Sequence, residues 1–528
     1  MHKRKWLPTV LSAILVLAIA SASVGCGGKQ TPTQPTTKKG GTLVVAYWDD
    51  PISFNPDAKV DDAGYGIYQN IFNKLVTLDA DYNIIPDLAE KWEISPDGKT
   101  YTFHLAKNVK WHDGQPFTAE DAKWTLETIL EKKGQAFANL QVIEKVEAPD
   151  PTTLVVTLKQ PNAPFLSFLA WYGTFIMPKH IYEGTDWLNN PANQKPVGTG
   201  PFRFVEWQKG DHITLEANPD YFKGAPLLDK VIYRIIPDAS TALQAFLNGE
   251  VDIDQTRPSL SEVPNLQKTP GVKVMVLPAP SRHYVTFNFT KDPTRKLELR
   301  KAIALAINRQ EIVEKALKGF GAPAKGFYTP AIAWAYNDKA TLPDYNPEEA
   351  KRILDQAGFT PDKDGVRLRL TLPYFTGAEW KDIATIIKAN LKEVGIEVKL
   401  EELEISAWMK KVIDNKDFDL TLLDGFQGPD PDNLRLRVGT KGSIQFMGYS
   451  NPEIDRLLEE AAGKTTTAER APLYFKVQEL MAQDLPIVPL SEVVALWLFR
   501  DYVHGLSVLE GKGKVTFYDY SLVWLDKK

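Results

Sequence analysis

The stretch Val366–Asn433, VRLRLTLPYFTGAEWKDIATIIKANLKEVGIEVKLEELEISAWMKKVIDNKDFDLTLLDGFQGPDPDN, decides the fold. Val366, Leu368, Leu370 and Leu372 alternate with polar residues, the period of two of a strand. Pro373–Gly377 (PYFTG) breaks it. Trp380, Ile383, Ala384, Ile387 and Leu391 then recur at helical spacing, and Gly395 stands where a left-handed residue ends a helix. Ile396, Val398 and Leu400 alternate again, a short helix is predicted around Trp408–Ile413, and Phe418–Leu423 reads as a third strand. Strand, helix, strand, helix, strand implies parallel pairing through right-handed crossovers. Ligands of such α/β sheets sit at the carboxyl ends of the strands. Two loops leave strands at that edge. Pro373–Gly377 carries Tyr374, Phe375 and Thr376; Gly425–Asn433 (GFQGPDPDN) carries Phe426, Gln427, Asp430, Asp432 and Asn433. Aromatic faces with a few carboxylates predict a binding cleft and do not by themselves predict catalysis.

A chain of 528 residues exceeds what one hydrophobic core usually supports, so two to four domains are expected. The composition, 43% hydrophobic and 24% charged, is that of a soluble globular protein. Formal charge is −5. A mildly acidic chain without a basic stripe is a poor partner for nucleic acid.

The N-terminus reads as a secretory leader. His2–Lys5 is basic, Leu7–Ala22 is largely apolar, and small residues follow up to Cys26. Cys26 is the one cysteine, so a disulfide within the chain is impossible. Its place, after an apolar leader and before GGKQTPTQPTTKKG, resembles the lipid-attachment cysteine of bacterial lipoproteins, with Ser23 where those signals usually carry Leu. Residues 26–40 are expected to form a flexible tether able to reach roughly 45 Å when stretched. The body it holds is expected outside the cytoplasm, beside a membrane and not across it.

Further along, Leu43–Ala46 reads as a buried strand ending at Tyr47, Trp48 and Asp49, which are placed at the cleft with Trp408. Trp92 and Ile94, the turn Ser95-Pro96-Asp97-Gly98, and then Tyr101, Phe103 and Leu105 predict a hairpin. Thr118 with Asp121 predicts a capping box opening a helix to Lys133. Asn346-Pro347 and Asn451-Pro452 are helix starts, and Gly358 suits a helix end.

Several longer runs resemble a known family. PDLAEKWEISPDGKTYTFHLAKNVKWHDGQPFTAEDAKWTL (Pro86–Leu126), PVGTGPFRFVEW (Pro196–Trp207) and NPDYFKGAPLLDKVIYRIIPDASTALQAFLNGEVDI (Asn218–Ile253) resemble the extracellular solute-binding proteins of peptide/nickel-type ABC importers. So do LRKAIALAINRQEIV (Leu299–Val313), YNPEEAKRILDQAGF (Tyr345–Phe359) and YSNPEIDRLLEEA (Tyr449–Ala461). The resemblance implies a two-lobed periplasmic-binding-protein-like α/β fold with a hinge and an extra domain inserted in the first lobe. Carried onto this chain, lobe I takes 41–82, 200–285 and 495–528, the inserted domain 83–199, and lobe II 286–494. The crossings near Tyr284–Phe289 and Leu490–Phe499 would act as hinges. It further implies a monomer without cofactor or metal that captures a small solute, most often a peptide, and delivers it to a membrane permease with a separate ATPase. Oligosaccharides, haem and nickel complexes are the family's other cargoes. Peptide binders of this kind fix the ammonium group with an Asp in the loop equivalent to GFQGPDPDN; Asp430 is the nearest counterpart and Asp432 the second. Pro373–Gly377 lacks the arginine with which dipeptide-specific members hold a carboxylate, which counts against strict dipeptide recognition.

Other chemistry finds little support. Gly463-Lys464-Thr465 lacks the first glycine of a phosphate loop, because Leu458 stands there. Gly198-Thr199-Gly200 lacks a third glycine, and Asp362–Gly365 has no EF-hand continuation. The seven histidines, His104 and His112 among them, do not match a zinc pattern. There is no Gly-x-Ser-x-Gly elbow. A secreted hydrolase using two cleft carboxylates is the remaining competing class.

Overall fold

Two long strands organise the molecule. Val272–Phe287 and Ile487–Arg500 run antiparallel, from Val272 opposite Arg500 to Thr286 opposite Ile487. Their register slips between Pro278 and Arg282, where Pro278 and Pro280 have no N–H to give to a ladder. The structure, a computed structural model, describes residues 39–527 apart from 60, 80, 172, 426, 427, 429, 443 and 507–518. The leader, Cys26, most of the tether, Phe426 and Gln427 lie outside the described residues.

The two strands join halves of a nine-stranded sheet. Its order is Leu420–Leu423, the two crossing strands, Ile253–Asp254, Thr42–Tyr47, Lys230–Ile235, His212–Ala217 and Phe202–Gln208, with Ala322–Pro323 added off this path. Thr42–Tyr47 is parallel to both neighbours and the other pairs are antiparallel. Each crossing strand changes core along its length. Tyr284, Val285, Phe287, Ile487, Val488 and Leu490 belong to one apolar cluster, which includes Leu370, Ile383 and Leu420. Trp497 and Phe499 belong to another, with Leu43, Val45 and Val231. Glu492–Ala495 between them is only half-buried. Two lobes connected by a strand pair, with a cleft between, follow from this division.

A four-stranded antiparallel sheet forms a third core, in the order Ala89–Ile94, Thr100–Leu105, Thr153–Leu158 and Ile143–Asp150. The hairpin is in the expected register, Trp92 opposite Phe103 and Ile94 opposite Tyr101. Core membership departs from the expected domain edges. Leu75, Val76 and Leu78 pack in the inserted domain, whereas Phe175, Met177, Tyr182 and Trp187 return to the first lobe's core.

Within Val366–Asn433, the strand Leu368–Phe375 pairs in parallel with Ile396–Leu403, joined by the helix Ala378–Glu393. Ile383, Ala384, Ile387 and Leu391 are all 0% exposed, and Gly395 has φ +83° as its place required. The third strand corrects the expected topology. Leu420–Leu423 does not continue the parallel sheet but pairs antiparallel with the first crossing strand, Tyr284 opposite Leu423. Side chains bridge it to its expected neighbour instead. Thr371 N donates to Asp419 Oδ2 at 2.8 Å, and Thr421 Oγ1 donates to Pro373 O at 2.7 Å.

Candidate functional site

The carboxyl ends of Leu368–Phe375 and Leu420–Leu423 open beside the bulged part of the crossing strands. A chain of rings lines this edge. Trp380 meets His283 at 5.1 Å and Phe375 at 5.3 Å, and Phe375 meets Trp408 at 4.6 Å, each edge-on. These spacings are favourable for aromatic pairs and hold the wall rigid. Trp408 is buried and donates from Nε1 to Thr421 Oγ1 at 3.0 Å, so its indole is fixed as backing for Phe375.

A set of polar and ionisable groups stands on the same edge. His283, 2% exposed, is opposite Ser491 in the strand pair. Its Nδ1 lies 2.9 Å from Ser491 Oγ and its Nε2 2.6 Å from Glu379 Oε1, at the start of the helix Ala378–Glu393. Burial pushes the Glu379 carboxyl up, but the His283 contact and the Arg257 charge outweigh it and hold it below its ordinary value. Asp424 follows the last residue of its strand. Asp424 is exposed, but the protein crowded around it raises its carboxyl above the usual range; His283, Arg257 and Arg437 pull against that, and Glu379 adds to it. Asp424 accepts no hydrogen bond among the described residues. The next residue is Gly425 because Arg437 lies over it: a Cβ there would come within 2.2 Å of Arg437 Nη2. Arg437 Nη1 donates to Asn433 Oδ1 at 2.7 Å, while its buried Nε has no partner among the described residues.

The residues expected at the cleft have divided fates. Phe375 sits in the ring chain. Trp48 is half-buried, 4.1 Å from Tyr47, and Asp49 and Thr376 are exposed. Asn433 serves Arg437. Tyr47 is 0% exposed and donates its hydroxyl to Ala63 O at 2.6 Å, and Tyr374 is 3% exposed in the second lobe's core. Both therefore belong to scaffold, as does the buried Trp408. Asp430 is the most firmly held of the expected residues. Arg470 donates to both its oxygens, at 2.8 and 2.6 Å, and Asp432 N caps onto Oδ1 at 2.9 Å. Asp432 is likewise held by two bonds from Arg435, at 3.0 and 2.9 Å. Neither acid presents a free oxygen pair to a ligand.

Asp424, Arg257, His283, Glu379 and Arg437 were not singled out from the sequence, and Trp380 only as part of a helix's apolar face. One signal was available: in LTLLDG a charge follows the apolar strand directly, one residue before the loop was taken to begin. For His283 and Arg257, sequence position carries no sign that two distant segments meet.

A cleft walled by two lobes that a pair of long strands joins is the architecture of a solute receptor. The chain belongs to the bacterial extracellular solute-binding proteins of family 5, whose profile matches residues 83–446. The oligopeptide-binding protein AppA of Bacillus subtilis is 31% identical over 513 residues, covering 92% of this chain and 93% of its own. Among solved structures, the ABC transporter substrate-binding protein CtaP of Listeria monocytogenes superposes with a TM-score of 0.83 at 30% identity, over 93% of this chain and 100% of its own. The binding protein DppA of Helicobacter pylori, in complex with the peptide STSA, has a TM-score of 0.82 at 30% identity, over 93% and 99%. Membership of an extracellular family places the protein outside the cytoplasm. Among the described residues no helix is long and apolar enough to cross a membrane.

Proposed function

We propose that the protein is the cargo receptor of an ABC importer, which captures a peptide between its lobes and hands it on intact to a permease driven by a separate ATPase. The observation that carries the peptide reading is Asp424: an exposed carboxylate at a strand's carboxyl end, beside the ring chain, that accepts no hydrogen bond among the described residues. A peptide ammonium would replace solvent at this carboxylate in a charge-assisted contact. The ammonium role thus moves from Asp430 to Asp424, with Phe375, Trp380 and Trp48 as apolar walls. The naming of AppA as oligopeptide-binding and the peptide held by DppA support the same cargo. Closure follows from differential affinity, since cargo touching both lobes binds the closed form better. Lobe I at 41–82, 200–285 and 495–528, an inserted domain near 83–199 and lobe II at 286–494 are the moving bodies of this reading, apart from the edge residues noted above. No bond is made or broken, and the protein works as a monomer. We assign Cys26 the lipid anchor, which Cys26→Ser would abolish in a lipid-labelling experiment.

Calorimetry with Ala-Phe-Ala and its N-acetyl form tests the cargo. Asp424→Asn is expected to weaken the free-amine peptide roughly 10- to 100-fold, the worth of a hydrogen bond to a charged group, and to leave the acetylated form unchanged. Undiminished affinity in Asp424→Asn defeats the assignment. Cleavage of the peptide, seen by mass spectrometry after incubation, would show an enzyme instead, and a sugar or metal complex released in native mass spectrometry would replace the cargo.

A further inference from the structure

A cavity of about 390 Å³ lies where the inserted domain's hairpin turn meets the loop after the second-lobe helix Pro452–Ala462. Its size falls within the roughly 300–1,000 Å³ of small-molecule sites. The inserted domain supplies an apolar wall of Ile94, Pro96, Pro161 and Leu166, and the second lobe supplies Lys464 and Thr465. Leu166 is anchored in the core under the four-stranded sheet, whereas Ala461, three residues before Lys464, is anchored in the second lobe's core. The cavity is therefore shared between two bodies, and none of the cleft-edge residues described above lines it.

Two polar side chains in its lining have no protein partner. Lys464 is half-buried, and its ammonium makes no hydrogen bond or ion pair among the described residues. Asn162 is 7% exposed, and its side-chain amide makes no hydrogen bond among them either; Oδ1 is enclosed, which leaves Nδ2 as the open edge. The backbone holds this amide in place, because Asn162 O accepts from Tyr101 Oη and from Phe165 N, each at 3.1 Å. Asp97 stands on the same turn, but its carboxylate is engaged by Ser95 Oγ and Lys99 N. A cation and an amide donor beside an apolar wall call for a ligand with one negative charge and a hydrocarbon body.

We propose that this cavity is a second binding site, separate from the cargo cleft, for a small carboxylate with an apolar body. Lys464 Nζ and Asn162 Nδ2 each give the carboxylate a charge-assisted hydrogen bond, and Ile94, Pro96 and Leu166 cover the hydrocarbon. Separation of the inserted domain from the second lobe would dismantle the site. A ligand that touches both bodies therefore binds the form in which they meet, and it couples to any cargo that also favours that form, by the same factor in each direction. The site itself does not depend on what the cleft carries.

Calorimetry on the full chain with 4-methylpentanoate and 4-methylpentanamide tests the site. The wild type is expected to bind the acid roughly fivefold tighter than the amide, the worth of a favourable ion pair. Lys464→Gln should erase that ratio and Lys464→Arg should restore it, whereas Ile94→Ser should weaken acid and amide alike. Lys464 and Ile94 both reach solvent, so unchanged thermal unfolding of the variants is the expected control. A wild type that binds neither probe at millimolar concentration, a ratio near one, or binding that survives both Lys464→Gln and Ile94→Ser would overturn the proposal. The coupling is read with Ala-Phe-Ala, whose affinity should rise several-fold in saturating 4-methylpentanoate. Peptide affinity unmoved by the acid would overturn the coupling, whereas a chain that binds the acid selectively and no peptide would refute the peptide reading and leave the second site standing.

Discussion

Lys74 is 3% exposed, beneath the rings of Phe175 at 4.6 Å and Tyr65 at 5.3 Å. The one hydrogen bond of its amine among the described residues is to Tyr65 Oη, at 3.4 Å. Burial lowers the amine from its ordinary 10.5 to about 8, against the pull of Asp87 and Asp57 and with a push from Lys223. The sign of the stability effect follows from proton counts. Between pH 8 and 10.5 the unfolded chain holds this proton and the folded one has lost it, so folding stability rises with pH in that window. The gain is on the order of 3 kcal/mol. Urea unfolding at pH 7.5 and 10.5 should show the wild type gaining that much more than Lys74→Met, and equal slopes for the two proteins would refute it. The same dependence on surroundings explains what was legible of the site. Asp430 and Asp424 are six positions apart and chemically identical, and nothing in DGFQGPDPDN tells which of them Arg470, forty positions on from Asp430, will take. Residue type points to a loop, but the three-dimensional neighbours decide the role of each acid in and beside it.

Elements carry their own tests, because the same substitution has opposite consequences at two glycines. A Cβ on Gly198 would lie 1.8 Å from the carbonyl oxygen of Ile71, the last residue of the helix Asp62–Ile71. That carbonyl, without a partner in its own helix, accepts from Gly200 N at 2.8 Å. Gly198→Ala must push backbone from backbone and should cost at least the roughly 1–3 kcal/mol of an overpacked core. Gly463 caps the helix Pro452–Ala462 at φ −78°, ψ −9°, with nothing nearer its missing Cβ than Glu460 O at 3.5 Å. Gly463→Ala should stabilise by about 0.4–1 kcal/mol through the unfolded chain alone. Urea midpoints of the two variants check both signs, and a stabilising Gly198→Ala would refute the close approach. Helix ends were legible because their chemistry is local: Asn346 accepts from Glu349 N at 3.0 Å and Asn451 from Glu453 N at 3.0 Å, as their Asn-Pro pairs require. Sheet membership was not, since the alternation in Leu420–Leu423 fixes a strand and its faces while its partner lies more than 130 residues upstream. Periodicity is silent about neighbours.

At the scale of the whole molecule the lobes meet a second time, away from the crossing strands. Ala163 N, in the inserted domain, donates to Ala462 O at 2.8 Å, at the carboxyl end of a second-lobe helix. Beside this bond the hairpin turn approaches the following loop, and a Cβ on Gly98 would lie 3.5 Å from Thr465 Cγ2. The seam reaches the site loop through one residue. Arg470 Nε donates to Ala461 O at 3.2 Å while its other nitrogens hold Asp430. Hinge opening about the strand pair must break this seam, so its integrity reports the closed form. Cysteines at 98 and 465 would stand close enough to join, at the cost of about 1–2 kcal/mol for a side chain at φ +69°. In a Cys26→Ser background, which removes the one native thiol, Gly98→Cys with Thr465→Cys should cross-link slowly alone and several-fold faster with a bound free-amine peptide. The ratio of rates reads the shift in closed population directly, because only that form brings the sulfurs together. Cross-linking at one rate with and without cargo would mean that binding leaves the lobes where they are, and capture by closure would fall even if the peptide binds tightly.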